Sequence, residues 1–212
     1  MKSKPILAFF GAFNPPTVAH IVLAKLAMEK TGRGGVLFVP SQQRYIAFEQ
    51  QKSFSFSDEE RLHMLQLIAK ENPWMRVTDW ELRQERQPRT YETLCYLREE
   101  GYRPSLLLGS DKLPELECGW LHVPDIAREF GMVCLCRSGD DAVRLIRSDV
   151  YLSTLEEYIE VVQTPEDFQQ VSSTAVRTLL QKMDQADAAA AEEALAGLVP
   201  LPLLNYLLKK AS

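Results

Sequence analysis

ILAFFGAFNPPTVAH, residues 6–20, is the stretch on which the fold turns. A short apolar run leads into Gly11, two prolines follow, and Leu23, Ala24 and Ala27 then recur at helical spacing. The pattern predicts strand, tight turn and helix. Gly11 permits a positive φ or a close backbone approach at the turn, and Pro15 and Pro16 suit a helix entrance because the N–H groups they lack would be unpaired there. The helix start then faces the sheet edge, where unpaired N–H groups and the positive end of the helix dipole favour a phosphate. Thr17 and His20 are three apart, so on a helix they share a face and both reach a bound anion. The plainer alternative is a Thr cap and a satisfied histidine at an ordinary turn.

A second stretch, VSSTAVRTLL at residues 171–180, repeats this logic near the other end. Ser172, Ser173 and Thr174 precede a helix-forming run, which they cap while offering donors to an anion. Arg177 lies one turn after Ser173, where its guanidinium can fork onto phosphate oxygens. A well-capped helix with a surface arginine is the alternative here.

A chain of 212 residues suits one sizeable domain, 1–212, with residues 171–212 supplying the second motif and a helical C-terminal part. With 46% apolar and 25% charged residues the composition is globular. The net charge of −5 argues against a general nucleic-acid or anionic-membrane surface, so any phosphate site is local. The run at residues 6–10 is too short for a secretory leader, and no run is long enough to span a bilayer. Cys95, Cys118, Cys134 and Cys136 show no metal-type pairing with histidine. Cys134 and Cys136 would share one face of a strand, where reduced core cysteine is the common outcome, and a cytoplasmic location fits.

Along the chain, residues 36–40 read as a second buried strand after a helix that stops near Lys30 and Gly32, and it pairs in parallel with the first. Residues 41–56 are long and without period, a loop of the length that is often functional. Ser57 and Glu60 form a capping box for a helix with Leu62, Leu65 and Ile68 as its buried stripe, leaving His63 at the surface. A third strand is expected at 75–79, followed by Trp80 and a charged loop, with Thr90 capping the next helix. The fourth strand, 105–108, is apolar on both faces, as a central parallel strand should be. It ends in Gly109 and Asp111, which a doubly wound sheet would place beside Gly11 and His20. Gly109 would permit close approach and Asp111 would accept from a ribose hydroxyl or cap a helix. Strands at 132–136 and 158–162 complete the sheet, the charged region 140–153 is undefined, and 185–197 reads as a helix packed with the last one.

Taken together the stretches resemble the nucleotidyltransferase superfamily marked by [HT]xxH near the N-terminus and SSTxxR near the C-terminus. Within it the sequence is most similar to the nicotinamide or nicotinate mononucleotide adenylyltransferases, whose GxFNPxTxxH form matches Gly11 to His20. YETL at 91–94, LLLGSDKL at 106–113 with Trp120 following, GMVCLCRSG at 131–139 and VPLPLLNYLLKK from Val199 fall in that family's order. The chain departs from the HxGH form at Thr17 and Ala19.

The resemblance implies a Rossmann-like α/β fold, a doubly wound, mainly parallel sheet of five to six strands with a small C-terminal helical appendage. It implies transfer of the adenylyl group of ATP to nicotinamide or nicotinate mononucleotide, giving NAD or its deamido form and pyrophosphate by direct in-line attack. Thr17, His20, Lys52 and Arg177 would be catalytic, with Arg44 the competitor of Lys52. Gly11, Ala12, Phe13, His20, Gly109, Asp111, Ser172, Ser173, Thr174 and Arg177 would bind ATP. Tyr91, Glu92, Thr93 and Trp120 would bind the mononucleotide, Trp120 stacking on the pyridine ring opposite either Tyr91 or Trp80. Mg2+ would be held mainly by the ATP phosphates, with no protein metal site. The expected partners are ATP and a pyridine mononucleotide, not nucleic acid or membrane, and a homo-oligomer is compatible with the sequence. Other superfamily activities, such as phosphopantetheine adenylyl transfer or cytidylyl transfer, and a non-catalytic nucleotide-binding homologue are the rivals.

Overall fold

A computed structural model describes residues 4–48, 56–136, 141–165, 168, 171–183 and 188–211. In chain order the elements are β1 (Ile6–Gly11), α1 (Val18–Lys30), β2 (Val36–Pro40), α2 (Gln43–Phe48), α3 (Asp58–Lys70) and β3 (Met75–Val77). There follow α4 (Thr90–Glu99), β4 (Pro104–Gly109), α5 (Leu116–Gly119), α6 (Val123–Phe130), β5 (Met132–Cys136), α7 (Ala142–Ser148) and α8 (Val150–Ser153). β6 (Ile159–Gln163), α9 (Ser173–Met183), α10 (Ala188–Ala196) and α11 (Leu201–Ala211) close the chain.

The strands form one six-stranded sheet in the order β3-β2-β1-β4-β5-β6, every pair parallel. Strand side chains alternate between faces, so the sheet feeds two cores. Leu7, Phe38, Leu107 and Val133 meet α1, α3, α9 and the C-terminal helices on one side. Ala8, Leu37, Leu106 and Cys134 meet α4, α6, α7 and α8 on the other. Cys134 and Cys136 do share one buried face, and no disulfide joins any of the four cysteines. Leu195, Leu203 and Leu207 join the first core, so the C-terminal helices close that side of the sheet.

The strand order reverses between β1 and β4, the point at which a doubly wound sheet places its ligand crevice, beyond the carboxyl ends of the strands. Phe9 lies opposite Leu107 in the register, so Gly11 and Gly109, two residues on, end their strands at one height. Both expected site strands therefore deliver their glycines to one edge.

Four local expectations are corrected. The segment after β2 contains the short helix α2, which its sequence does not advertise because it lacks an apolar period. The α3 stripe consists of Arg61, Met64, Leu65 and Ile68, with Leu62 only half-buried. Arg89, not Thr90, stands at the α4 N-cap, its N–H satisfied by Glu92. Finally, the charged region before β6 holds α7 and α8, capped by Asp141 and Asp149.

Candidate active site

Between β1 and α1 the chain makes one tight turn, and its special backbone is not at the glycine. Phe13 takes the positive φ, 43°, and the Asn14–Pro15 bond is cis. Gly11 is required instead for space: a Cβ there would meet the Phe13 ring at 3.1 Å. Phe13 is buried in the first core, so its side chain is unavailable to a ligand and only its backbone borders the crevice.

Long-range bonds fasten this turn residue by residue. Arg61 donates through Nη1 to the Ala12 carbonyl at 2.6 Å, and the Phe56 N–H donates to Asn14 Oδ1 at 2.9 Å. Arg177 donates to the Asn14 carbonyl at 2.8 Å and to Thr174 Oγ1 at 3.0 Å. Ser173 Oγ donates to the Pro15 carbonyl at 2.8 Å. The starts of α1 and α9, more than 150 residues apart, thus meet at one turn. His20 and Arg177 lie on the same side of the molecule.

Thr17 is the α1 N-cap and is 0% exposed. It does not share a ligand face with His20, as helical spacing had suggested, because a cap residue has extended backbone and sits outside the helix. Its backbone N–H donates to His20 Nδ1 at 3.0 Å, and its Oγ1 lies 2.7 Å from the same nitrogen. A nitrogen that accepts a backbone N–H carries no proton, so the proton of the neutral ring is on Nε2. The Phe13 ring, edge-on at 5.3 Å, fixes the imidazole from the side. Thr17 therefore orients His20 and sets its tautomer.

The α1 N-terminus offers fewer backbone donors than expected. The Val18 N–H is taken by the Leu198 carbonyl at 2.9 Å, and the His20 N–H is capped by Thr17 Oγ1 at 3.5 Å. What this end brings to an anion is chiefly its dipole and the His20 ring. At α9, Ser172 Oγ caps the Ala175 N–H at 3.1 Å. Arg177 is half-buried, and desolvation lowers its pKa from the usual arginine value.

Arg61 is the largest fully buried side chain. Besides Ala12 it holds the Ser41 carbonyl and the Asp58 carboxylate at 2.5 Å, which ties β1, β2 and α3 together below the crevice. Burial lowers its pKa while Asp58 opposes the shift. Its Nε has no partner among the described residues. Lys52 lies outside the described residues. Its competitor Arg44 turns to the other side, donating to Gln42 Oε1 and to the Gln84 and Glu85 carbonyls.

Gly109 and Asp111 stand at the β4 end, the Asp111 carboxylate lying where a Gly109 side chain would project. Asp111 is exposed, with the Lys112 ammonium 4.0 Å away.

The mononucleotide candidates divide. Trp120 is half-buried against the second core. Tyr91 stacks on His122 with ring centres 5.0 Å apart and donates to Glu129 at 2.9 Å, a bond that raises the phenol pKa to about 12. Trp80 stacks on Tyr96 at 4.4 Å. Each aromatic proposed opposite Trp120 thus has a ring partner of its own. Glu92 is held by Arg86 at 2.6 and 2.9 Å and by the Arg89 N–H at 2.7 Å, which pull its pKa down to about 2. Thr93 is 0% exposed and donates to Glu81 Oε1 at 2.6 Å. Glu92 thus closes the start of α4, while Thr93 ties that helix to Glu81.

Residues 8–179 match a family model described as cytidylyltransferase-like. The nicotinamide/nicotinic acid mononucleotide adenylyltransferase of Oryza sativa subsp. japonica is 26% identical over 195 residues, 84% of this chain and 76% of that protein. A probable nicotinate-nucleotide adenylyltransferase of Aquifex aeolicus (strain VF5) is 36% identical over 135 residues, 63% of this chain and 77% of that protein. The fold is that of the Plasmodium falciparum nicotinic acid mononucleotide adenylyltransferase complexed with APC: the TM-score is 0.71 at 17% identity, covering 98% of this chain and 96% of that one. A model spanning most of the sequence, joined by that bacterial relative, decides the kinship. The chain belongs to the cytidylyltransferase-like family and, within it, to the nicotinamide/nicotinate mononucleotide adenylyltransferases.

Proposed function

We propose that this enzyme joins ATP to nicotinamide or nicotinate mononucleotide, releasing pyrophosphate by direct in-line attack without a covalent intermediate. A phosphate oxygen of the mononucleotide forms a bond to the α-phosphorus of ATP as the bond to pyrophosphate breaks. The nucleophile is already an anion, so no base is needed. What the reaction demands is alignment of two polyanions and offset of the charge gathering on the transferred and departing groups.

The observation that carries this reading is the convergence of α1 and α9 on the turn at residues 12–17. His20, with Nδ1 occupied by Thr17, presents Nε2–H as a donor to a phosphate oxygen. Arg177 is poised to exchange its bonds to Asn14 and Thr174 for triphosphate oxygens, and Asp111 is placed to accept from a ribose hydroxyl at the β4 end. Trp120 is assigned to the pyridine ring. Lys52, assigned by resemblance, would add a further cation.

Magnesium would enter with the nucleotide, held mainly by the phosphate oxygens and water. Bound in that way it supplies further charge neutralisation on the phosphates.

The test is incubation with ATP, magnesium and each mononucleotide in turn, followed by chromatography. Formation of NAD or its deamido form with release of pyrophosphate is expected. Turnover of phosphopantetheine or of CTP in their place would contradict the assignment.

A further inference from the structure

Glu81 is a buried acid that the chemistry above does not use. Its residue is 1% exposed, in a short helical turn just past β3. One carboxylate oxygen accepts from Thr93 Oγ1 at 2.6 Å and the other from Gln87 Nε2 at 2.5 Å. Gln87 in turn accepts the Gln42 N–H at 2.8 Å. Gln42 completes the circuit by donating through Nε2 to the Glu81 and Gln84 carbonyls at 2.9 and 2.7 Å.

Three separate segments are closed into one polar ring by these bonds. They are the residues just past β2, the loop from Trp80 to Gln87, and the first turn of α4. The ring is placed at the carboxyl edge of the sheet, since Gln42 follows the β2 terminus, where Pro40 pairs with Gly11. It also borders the aromatic candidates: Trp80 immediately precedes Glu81 and accepts from Gln84 at its carbonyl, and Tyr91 lies two residues before Thr93.

Both donors to the carboxylate are neutral. A buried acid held in this way is costly compared with an apolar side chain, so its place is better explained by the geometry it imposes than by stability. Direction matters too. The Thr93 hydroxyl and the Gln87 amide both donate inward to Glu81, which fixes the Gln87 flip and hence its bond to Gln42.

We infer that Glu81 is a positioning residue for the pyridine-nucleotide half of the site, holding the loop from Trp80 to Gln87 and the start of α4 against the end of β2. The inference rests on the proposed function. Glu81 touches no substrate and acts through Thr93, Gln87 and Gln42. The ATP half is held by a different set, Arg61, Ser173 and Arg177, so Glu81 governs one substrate and not the other.

The experiment is calorimetric titration of wild type, Glu81→Gln, Thr93→Val and the double variant with nicotinamide mononucleotide, with nicotinate mononucleotide and, separately, with magnesium ATP. In Glu81→Gln the new amide has to reverse the Thr93 hydroxyl or break the Gln87 link. Mononucleotide affinity is expected to fall about fivefold to tenfold, the scale of one buried hydrogen bond, with ATP affinity within about twofold. Thr93→Val is expected to act in the same direction and to add little to Glu81→Gln, because both break one link. A Glu81→Gln protein that loses affinity for ATP and mononucleotide by the same factor, or for neither, overturns the role of Glu81 alone. Additive effects in the double variant overturn it as well. Failure of the wild type to bind either mononucleotide overturns the proposed function and this role with it.

Discussion

Arg61, Ser173 and Arg177 fasten the turn at residues 12–17 by donating to its carbonyls, whereas the arm at residues 80–93 is tied by amides and a hydroxyl around a buried carboxylate. In the first region the fastening groups bring positive charge to the place where a triphosphate would gather. In the second, the buried fastening groups bring none, and the ion pair of Arg86 with Glu92 stays at the exposed rim. One half is built for charge and the other for shape. A triphosphate needs cations and fixed donors, whereas a pyridine ring needs flat surfaces held at the right separation.

The largest effect should come from the charge-bearing half. His20→Ala is expected to lower turnover about a hundredfold to a thousandfold, the scale of losing one donor to the transition state. Steady-state rates near wild type would break the division of labour.

Next comes a stability effect confined to the arm. Burial raises the Glu81 pKa from 4.5 to about 7, against which the bonds from Thr93 and Gln87 act. The folded chain therefore holds this proton more tightly than the unfolded one. The stability it contributes is full below pH 4.5 and is lost as pH rises through 7. Between about pH 5 and 8 wild type should lose about 2–3 kcal/mol relative to Glu81→Gln, a melting-temperature difference of several degrees. Parallel melting curves across that range would show that the acid is not held as described.

The smallest of the three sharpens the ATP side. Arg177→Lys keeps the charge but loses the fork, so the KM for ATP should rise about tenfold while that for the mononucleotide stays within about twofold. Equal changes in both would mean that Arg177 serves the turn as a whole.

Strands were legible in the sequence because parallel strands buried on both faces read as unbroken apolar runs, as at residues 36–40 and 132–136. The two helix starts were legible because caps and phosphate-binding turns use few residue types. What spacing did not convey was direction. Thr17 and His20 are neighbours in the expected sense, yet one is buried and orients the other, since a cap residue leaves the helical path. Arg61 did leave a trace: it stands four residues before Leu65 and seven before Ile68, on the apolar stripe, where a charged side chain must find buried acceptors. Asn14 and the Gln42–Gln87–Glu81 ring left none, because their partners lie up to 45 residues away and glutamine and glutamate are ordinary loop residues. Likewise, Glu92 and Thr93 in YETL were matched to ligand binding, and nothing in their spacing conveyed that Glu92 bonds the Arg89 N–H and Thr93 bonds Glu81.

The most direct test of the account is a crystal structure with a non-hydrolysable ATP analogue and magnesium. His20 Nε2 and the Arg177 guanidinium should both lie within hydrogen-bonding distance of one triphosphate seated over the turn at residues 12–17. A nucleotide bound with either side chain still directed only at the protein, or seated away from that turn, would contradict it.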